Sequence, residues 1–100
     1  MKKLAILGSG NGSNFEAIAK WFENKNVQIT CISDTQGAFI LERAKRLNIE
    51  HKFLPFEENL EYFKENKFDL IALAGYMRIL PTEVLAEINM VLNIHPSLLP

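Results

Sequence analysis

The chain has one cysteine, four prolines, almost no net charge and no long apolar run. Cys31 alone cannot form an internal disulfide, and no cysteine and histidine cluster has zinc spacing. Eleven basic and twelve acidic residues give a net charge of −1, which removes the electrostatic signature of a nucleic-acid-binding or membrane-surface protein. No apolar stretch approaches the roughly 20 residues of a membrane span. These absences predict a cytoplasmic domain without a metal, whose partner is a small molecule.

The chain length and its first residues predict a single domain that opens on a strand. One hundred residues allow one domain at most, and they fall below the usual size of a complete α/β enzyme. The opening "MKKLAILGSG" has a basic start, but its apolar run breaks at Gly8 and is too short for the core of a signal peptide. We therefore interpret it as the first strand.

Short apolar runs alternate with segments of helical period along the whole chain. The runs are nearly continuous in Leu, Ile, Val and Ala, as the strands of a parallel sheet covered on both faces must be. They are "KLAILG", "VQITCIS", "HKFLPF", "DLIALAG" and "VLNIHP". The pattern predicts a doubly wound α/β fold with a mainly parallel sheet of order 3-2-1-4-5, in which the first and fourth strands flank the ligand crevice.

The first predicted helix has a clear apolar stripe and a predicted N-terminal cap. Ser13 can be the N-cap and Glu16 its capping-box partner. Trp21 lies beside the stripe and is predicted to belong to the core. The stripe, at spacing i, i+3, i+4 and i+7, consists of Phe15, Ile18, Ala19 and Phe22.

The stretch "GSGNGSN" at 8–14 joins the first strand to the first helix. Its three glycines exceed what a tight turn needs, and they let a ligand approach the backbone closely. Because the stretch leads into a helix N-terminus, it predicts an anion site. A tight turn alone is the alternative interpretation.

A dinucleotide site is a competing interpretation of the same loop. Asp34 ends the second strand, about where an acidic residue would bind a ribose. The glycine spacing departs from G-x-G-x-x-G, however, because Ser13 stands where the third glycine is required. Asp34 is therefore predicted to be a loop or capping residue.

The segment "DLIALAGYMRIL" leads out of the fourth strand through Gly75. Met77, Ile79 and Leu80 could each be core residues, but beside the crevice they would together suit a flat apolar ring. Arg78 is either a solvated charge or a partner for a carboxylate.

The last segment, "LNIHPSLLP", sets Asn93 and His95 two residues apart, so that both face the same side of a strand. Pro96 biases His95 toward extended dihedral angles. An amide that donates to an oxyanion and an imidazole that handles a proton suffice for acyl transfer. No serine or cysteine nucleophile is evident, because Cys31 lies in mid-strand and Ser97 lies beyond the pair. The attack must therefore come from the substrate.

Three segments together, "SGNGSN", "LAGYMRIL" and "NIHPSLLP", resemble the N-terminal half of the phosphoribosylglycinamide formyltransferases. The resemblance spans nearly the whole chain. It implies a Rossmann-like formyltransferase fold, and transfer of a formyl group from the cosubstrate 10-formyltetrahydrofolate to the amine of glycinamide ribonucleotide in purine biosynthesis. Residues 1–100 would be the N-terminal part of a single formyltransferase domain. Its last strands and a catalytic aspartate are expected after Pro100.

The resemblance also implies roles for single residues. Asn93 and His95 would stabilise the oxyanion, and Pro96 would border the glycinamide site. The substrate phosphate would lie on Gly12, Ser13 and Asn14, and the folate pocket would be lined by Met77, Arg78, Ile79, Leu80 and Leu92. The family's arginine near the phosphate, expected after the third strand, is missing from "FEENLEYFKEN".

Other functions remain as alternatives. A formyltetrahydrofolate deformylase is expected to carry a regulatory domain before the first strand. A methionyl-tRNA formyltransferase is expected to add a basic tRNA-binding domain, and "GNGSN" argues against it. A Rossmann-type nucleotide-binding module agrees with "GSGNG" but leaves "NIHPSLLP" unexplained. If the chain ends at Pro100, the unpaired apolar edge "MVLNI" predicts association into a homo-oligomer.

Overall fold

A computed structural model describes residues 1–88 and 91–93. Strands and helices alternate along these residues, and a short 3₁₀ turn at Phe56–Glu58 precedes the third helix. The elements are β1 (Lys2–Leu7), α1 (Ser13–Trp21), β2 (Val27–Ser33), α2 (Phe39–Arg46), β3 (Glu50–Phe53), α3 (Asn59–Glu65), β4 (Leu70–Leu73), α4 (Thr82–Leu85) and β5 (Val91–Asn93).

The strands form one parallel sheet in the order β3-β2-β1-β4-β5, which confirms the predicted topology. The central strand β1 is buried on both faces, because α1 and α2 pack against one face and α3 and α4 against the other. Its side chains alternate between the two cores: Leu4 and Ile6 contact the first pair of helices, and Ala5 and Leu7 the second pair. Continuous apolar runs are the sequence signature of this two-sided burial.

The strand register aligns the carboxyl ends of four strands in one row. Leu7 pairs with Ile32 of β2 and with Leu73 of β4, and Leu73 pairs with Asn93 of β5. The chain segments that follow these residues therefore leave the sheet at the same edge. In an open α/β sheet this edge is where ligands bind.

The first helix matches its prediction in the stripe but not at Trp21. Phe15, Ile18 and Ala19 are buried and Phe22 packs partly against them. Trp21 is 61% exposed, so its predicted core position is wrong. At 100° per residue it lies about 110° from the centre of the stripe, and it faces solvent. The Lys25 ammonium lies over its ring, 4.1 Å from the centroid.

No helix in the described residues has the length and apolar character needed to cross a membrane. Within 1–88 and 91–93, no three His, Cys, Asp or Glu side chains come together as metal ligands.

Candidate functional site

The first loop, residues 8–12, connects β1 to α1 and is shaped around one side chain of α2. Gly12 has a φ of 86°, and a Cβ there would lie 2.8 Å from the Ile40 Cα. A Cβ on Gly8 would lie 2.5 Å from Ile40 Cδ1. At Gly10 a Cβ would meet nothing within 4 Å. Packing against Ile40 therefore explains two of the three glycines, and Gly10 is the glycine left open to a ligand.

The predicted capping box is wrong. Gly12 occupies the N-cap position of α1 and no side chain caps it. The Ser13 N–H donates instead to Asn11 Oδ1 at 3.0 Å. The Glu16 carboxylate pairs with Arg43 of α2, since a guanidinium is a stronger partner for it than a backbone N–H. Gly12 has a positive φ that turns the chain at this point. Asn11 therefore accepts the hydrogen bond from the Ser13 N–H that Glu16 was predicted to accept.

A small pocket opens over the first loop. It has a volume of ≈ 90 Å³ and is lined by Gly10, Asn11, Gly12, Ser13, Asn14, Ala74 and Gly75. These include the three residues predicted to bind the substrate phosphate. The first N–H groups of α1 have no acceptor inside the helix, and the helix dipole adds partial positive charge there. The pocket is therefore chemically suited to an anion.

The second loop, residues 74–81, connects β4 to α4 and is tied to the first loop through Ser9. The Ser9 N–H donates to the Gly75 carbonyl at 3.2 Å. The Ser9 hydroxyl accepts from the Met77 N–H at 2.9 Å. One residue thus fixes the backbone of the second loop at two points.

Asp34 joins this network from the end of β2. Its side chain is 5% exposed and accepts a hydrogen bond from the Ser9 hydroxyl at 2.6 Å. Arg78 Nε lies 3.3 Å from the other carboxylate oxygen. Asp34 is therefore a loop residue that binds the first and second loops together, as predicted, and Arg78 has the carboxylate partner that the sequence allowed.

The side chains predicted to line the folate pocket divide into exposed and buried ones. Met77 is 81% exposed, Ile79 89% and Leu92 41%. Leu80 is only 6% exposed and packs in the core with Val84. The Arg78 guanidinium, beside them, lies 5.3 Å from the centroid of the Phe56 ring.

Of the predicted catalytic residues, Asn93 falls at the end of β5. Asn93 is the last residue of the strand and pairs with Leu73, two positions before Gly75. Its backbone therefore stands at the same edge of the sheet as the two loops. His95 and Pro96 lie outside the described residues.

Comparison with known proteins identifies the family of this arrangement. The family model described as formyl transferase matches residues 2–100. The chain belongs to the formyl transferase family. It is 38% identical over 114 residues to the phosphoribosylglycinamide formyltransferase of Bacillus subtilis, covering 100% of this chain and 58% of that protein. The same enzyme of Haemophilus influenzae is 40% identical over 114 residues, with 100% and 54% covered.

Solved structures of the formyl transferase family have the same fold. Glycinamide ribonucleotide transformylase 1 from Symbiobacterium toebii superimposes with a TM-score of 0.81 at 32% identity, covering 100% of this chain and 54% of that one. Phosphoribosylglycinamide formyltransferase from Brucella melitensis gives 0.82 at 31% identity, with 99% and 59% covered. The predicted fold and family are confirmed. The chain spans a little over half the length of the relatives it matches.

Burial shifts the pKa values of two side chains that could otherwise be considered as nucleophiles, Cys31 and Tyr76. Burial in β2 raises the pKa of the Cys31 thiol to about 12, so the thiol stays neutral and is a poor nucleophile. Burial also raises the pKa of the Tyr76 phenol, whose oxygen accepts a hydrogen bond from Asn59 Nδ2 at 3.0 Å. Neither group supplies a nucleophile at neutral pH.

Sequence reasoning missed three residues that shape this site: Ser9, Ile40 and Arg43. Ser9 stood in a motif that was explained by its glycines alone. Ile40 and Arg43 lie three apart on α2, which puts them on one face of that helix. That spacing was visible in the sequence, but nothing in it told which face of α2 meets the first loop.

Proposed function

We propose that residues 1–100 are the N-terminal part of a phosphoribosylglycinamide formyltransferase domain. The reaction moves a formyl group from 10-formyltetrahydrofolate to the amine of glycinamide ribonucleotide. The observation that carries the proposal is the family match over residues 2–100, with relatives of that name. The meeting of both loops with the end of β5 at one sheet edge supports it.

The chemistry needs a stabilised oxyanion and a path for one proton. The substrate amine attacks the formyl carbon, a C–N bond forms, and the carbonyl oxygen becomes negatively charged. The bond from that carbon to N10 of the folate then breaks, and the proton lost by the amine goes to N10. In this proposal Asn93 and a protonated His95 hold the oxyanion, and the proton passes through His95 or a nearby water. The aspartate expected after Pro100 would raise the pKa of His95.

The two substrates would bind at the two loops of this sheet edge. The phosphate of the ribonucleotide would bind in the pocket over Gly12, Ser13 and Asn14, and Pro96 would border the glycinamide group. The folate would lie along residues 77–80 and Leu92, where exposed apolar side chains suit a flat ring. A cytoplasmic location without a metal belongs to the same proposal, and a homo-oligomer stays a prediction.

The test is formyl transfer by the full-length protein, followed by the absorbance of the deformylated folate. We expect Asn93→Ala to cost about 2.7–4 kcal/mol of transition-state stabilisation, the scale of one lost oxyanion donor. The affinities of both substrates should change little. Asn24→Ala is the matched control, because Asn24 is exposed in the turn after α1, away from both loops.

Two results would contradict the proposal. Near-normal turnover by Asn93→Ala would remove that residue from the mechanism. Release of formate to water by the unaltered protein, without transfer to the ribonucleotide, would favour a deformylase.

A further inference from the structure

Arg43 of α2 contacts the first loop although no step of the reaction uses it. Its Nε donates to the Asn11 carbonyl at 2.5 Å, and its Nη1 pairs with the Glu16 carboxylate. The Arg43 and Glu16 side chains are only 26% and 30% exposed. The backbone of α2 makes a parallel contact one residue earlier in the loop, where the Ile40 N–H donates to the Gly10 carbonyl at 3.1 Å.

These two bonds fix the direction of two successive peptide groups. In a trans peptide the C=O of one residue and the N–H of the next point in opposite directions. Because the Gly10 and Asn11 carbonyls point toward α2, the N–H groups of Asn11 and Gly12 point away from it. Both residues line the pocket over the first loop. Carbonyl oxygens, which would repel an anion, are thereby held on the far side.

The pairing with Glu16 has an electrostatic consequence. Glu16 lies in the first turn of α1, and a free carboxylate there would repel a phosphate bound at the helix N-terminus. The guanidinium of Arg43 neutralises that charge and is oriented by it. The same side chain thus sets the peptide direction and offsets the nearest negative charge.

We propose that Arg43 is a positioning residue for the substrate phosphate, acting through the Asn11 carbonyl without touching the ligand. This inference rests on the proposed function, since it takes the first loop to be the phosphate site. It also names a cation that serves this site in a chain whose segment "FEENLEYFKEN", after β3, has no arginine.

Arg46 provides a matched control on the same helix. Its guanidinium lies 5.2 Å from the Phe39 ring centroid, and that of Arg43 lies 5.0 Å from it. Arg46 pairs with Glu42 at 3.7 Å and its side chain is 65% exposed. Arg46→Ala therefore removes the same charge and the same aromatic contact, but no bond to the first loop.

The experiment measures, by calorimetry on the full-length protein, the Kd of glycinamide ribonucleotide, of its riboside without the phosphate, and of a folate cosubstrate analogue. Loss of a hydrogen bond to a charged donor predicts that Arg43→Ala weakens ribonucleotide binding about tenfold or more. The riboside and the folate analogue should change less than twofold, and Arg46→Ala should leave all three affinities unchanged. Arg43→Lys should recover only part of the loss, because an ammonium cannot form the same fork.

A Glu16→Gln variant separates the two roles of Arg43. Glutamine still accepts a hydrogen bond from Nη1, so the bond to Asn11 remains and ribonucleotide affinity should stay within about twofold. If Glu16→Gln weakens binding as much as Arg43→Ala, the ion pair and not the Asn11 bond holds the loop, and the inference fails. It also fails if Arg43→Ala behaves like Arg46→Ala, or weakens the riboside as much as the ribonucleotide.

The same measurements distinguish a failure of this inference from a failure of the proposed function. An unaltered protein that binds and formylates the ribonucleotide while Arg43→Ala binds it normally overturns the inference alone. An unaltered protein that does not bind the ribonucleotide overturns both. Arg43→Lys and Glu16→Gln keep a polar group at each position, so the test stands even if Arg43→Ala folds poorly.

Discussion

The two loops at the carboxyl edge of the sheet are held in different ways. The first loop is packed around Ile40, and α2 binds two of its carbonyls. The second loop is held by hydrogen bonds to Ser9 and the Asp34 carboxylate, while Met77 and Ile79 extend into solvent. The difference matches the ligands we propose. A phosphate needs N–H groups that are held in fixed directions. A flat apolar ring needs exposed apolar side chains, and for these it is enough that the backbone of the loop is held at a few points.

The largest effect is expected from a side chain added inside the first loop. Gly12→Val should destabilise the protein by about 2–6 kcal/mol, because valine strains a positive φ and its Cβ would overlap Ile40. Ribonucleotide binding should be lost and folate binding spared, as calorimetry on the full-length protein can measure. Gly37→Val is the control, since Gly37 has a similar positive φ of 77°, a Cβ there meets nothing within 4 Å, and the residue does not line the pocket. If folate affinity falls instead, the two pockets are assigned the wrong way round.

The second loop should respond differently at two neighbouring positions. Leu80→Ala should cost about 2–5 kcal/mol of unfolding free energy, as truncation of a buried leucine does. Ile79→Ala should change stability by less than about 0.5 kcal/mol, because its side chain is almost fully exposed. Urea unfolding measures both, and steady-state kinetics should show a raised KM for the folate in Ile79→Ala. An unchanged KM would remove Ile79 from the folate wall.

Removing the link between the loops should have an intermediate effect. Ser9→Ala deletes the hydroxyl that donates to Asp34 and accepts from Met77, which should cost about 1–3 kcal/mol of unfolding free energy. The KM for the folate should rise more than that for the ribonucleotide, because the lost hydroxyl binds Met77, in the proposed folate wall. Thr35→Val is the control, since Thr35 Oγ1 donates to the same carboxylate at 3.3 Å but does not touch the second loop. Equal increases in both KM values would mean that Ser9 supports the two loops alike.

The smallest effect is a pH dependence confined to the second loop. Burial raises the pKa of Tyr76 above 10.0, its ordinary value, which the unfolded chain retains. The folded state then holds the phenolic proton more tightly, so this contribution to stability is complete below pH 10.0 and is lost as the pH rises through the higher folded pKa. Unfolding free energy should fall more steeply as the pH rises above about 10 in the unaltered protein than in Tyr76→Phe. Parallel curves would show that the phenol does not titrate differently on folding.

The sheet could be predicted from the sequence because each strand is short, apolar and separated from the next by a helical segment. Parallel strands joined by right-handed crossovers leave few possible orders, and the observed order was among them. The contacts between helices, strands and loops were harder to predict from the sequence. The capping box failed because Glu16 had a stronger partner 27 positions away, and no local pattern reveals Arg43 as that partner. The prediction for Trp21 failed because each residue turns a helix by about 100°, so that a residue next to the apolar stripe in sequence can face solvent.

The candidate site was predictable where it depends on short motifs and unpredictable where it depends on packing. Gly12, Ser13 and Asn14 do line one pocket, since they are consecutive. Leu80 looked like its neighbours Met77 and Ile79, yet it turns into the core beside Val84. The assignment of Asn93 and His95 to catalysis stays a prediction.

The position of Ile40 between Gly8 and Gly12 has a consequence for the order of folding. Neither α1 nor the turn before it can supply that side chain, so the first loop cannot reach its final shape until α2 has docked on the sheet. The segment from β1 through α2 should therefore form as one cooperative unit. The Ile40 amide, which donates to the Gly10 carbonyl, should exchange its hydrogen with solvent only when that unit opens. Its exchange rate would then report, in the absence of any ligand, how often the phosphate pocket comes apart.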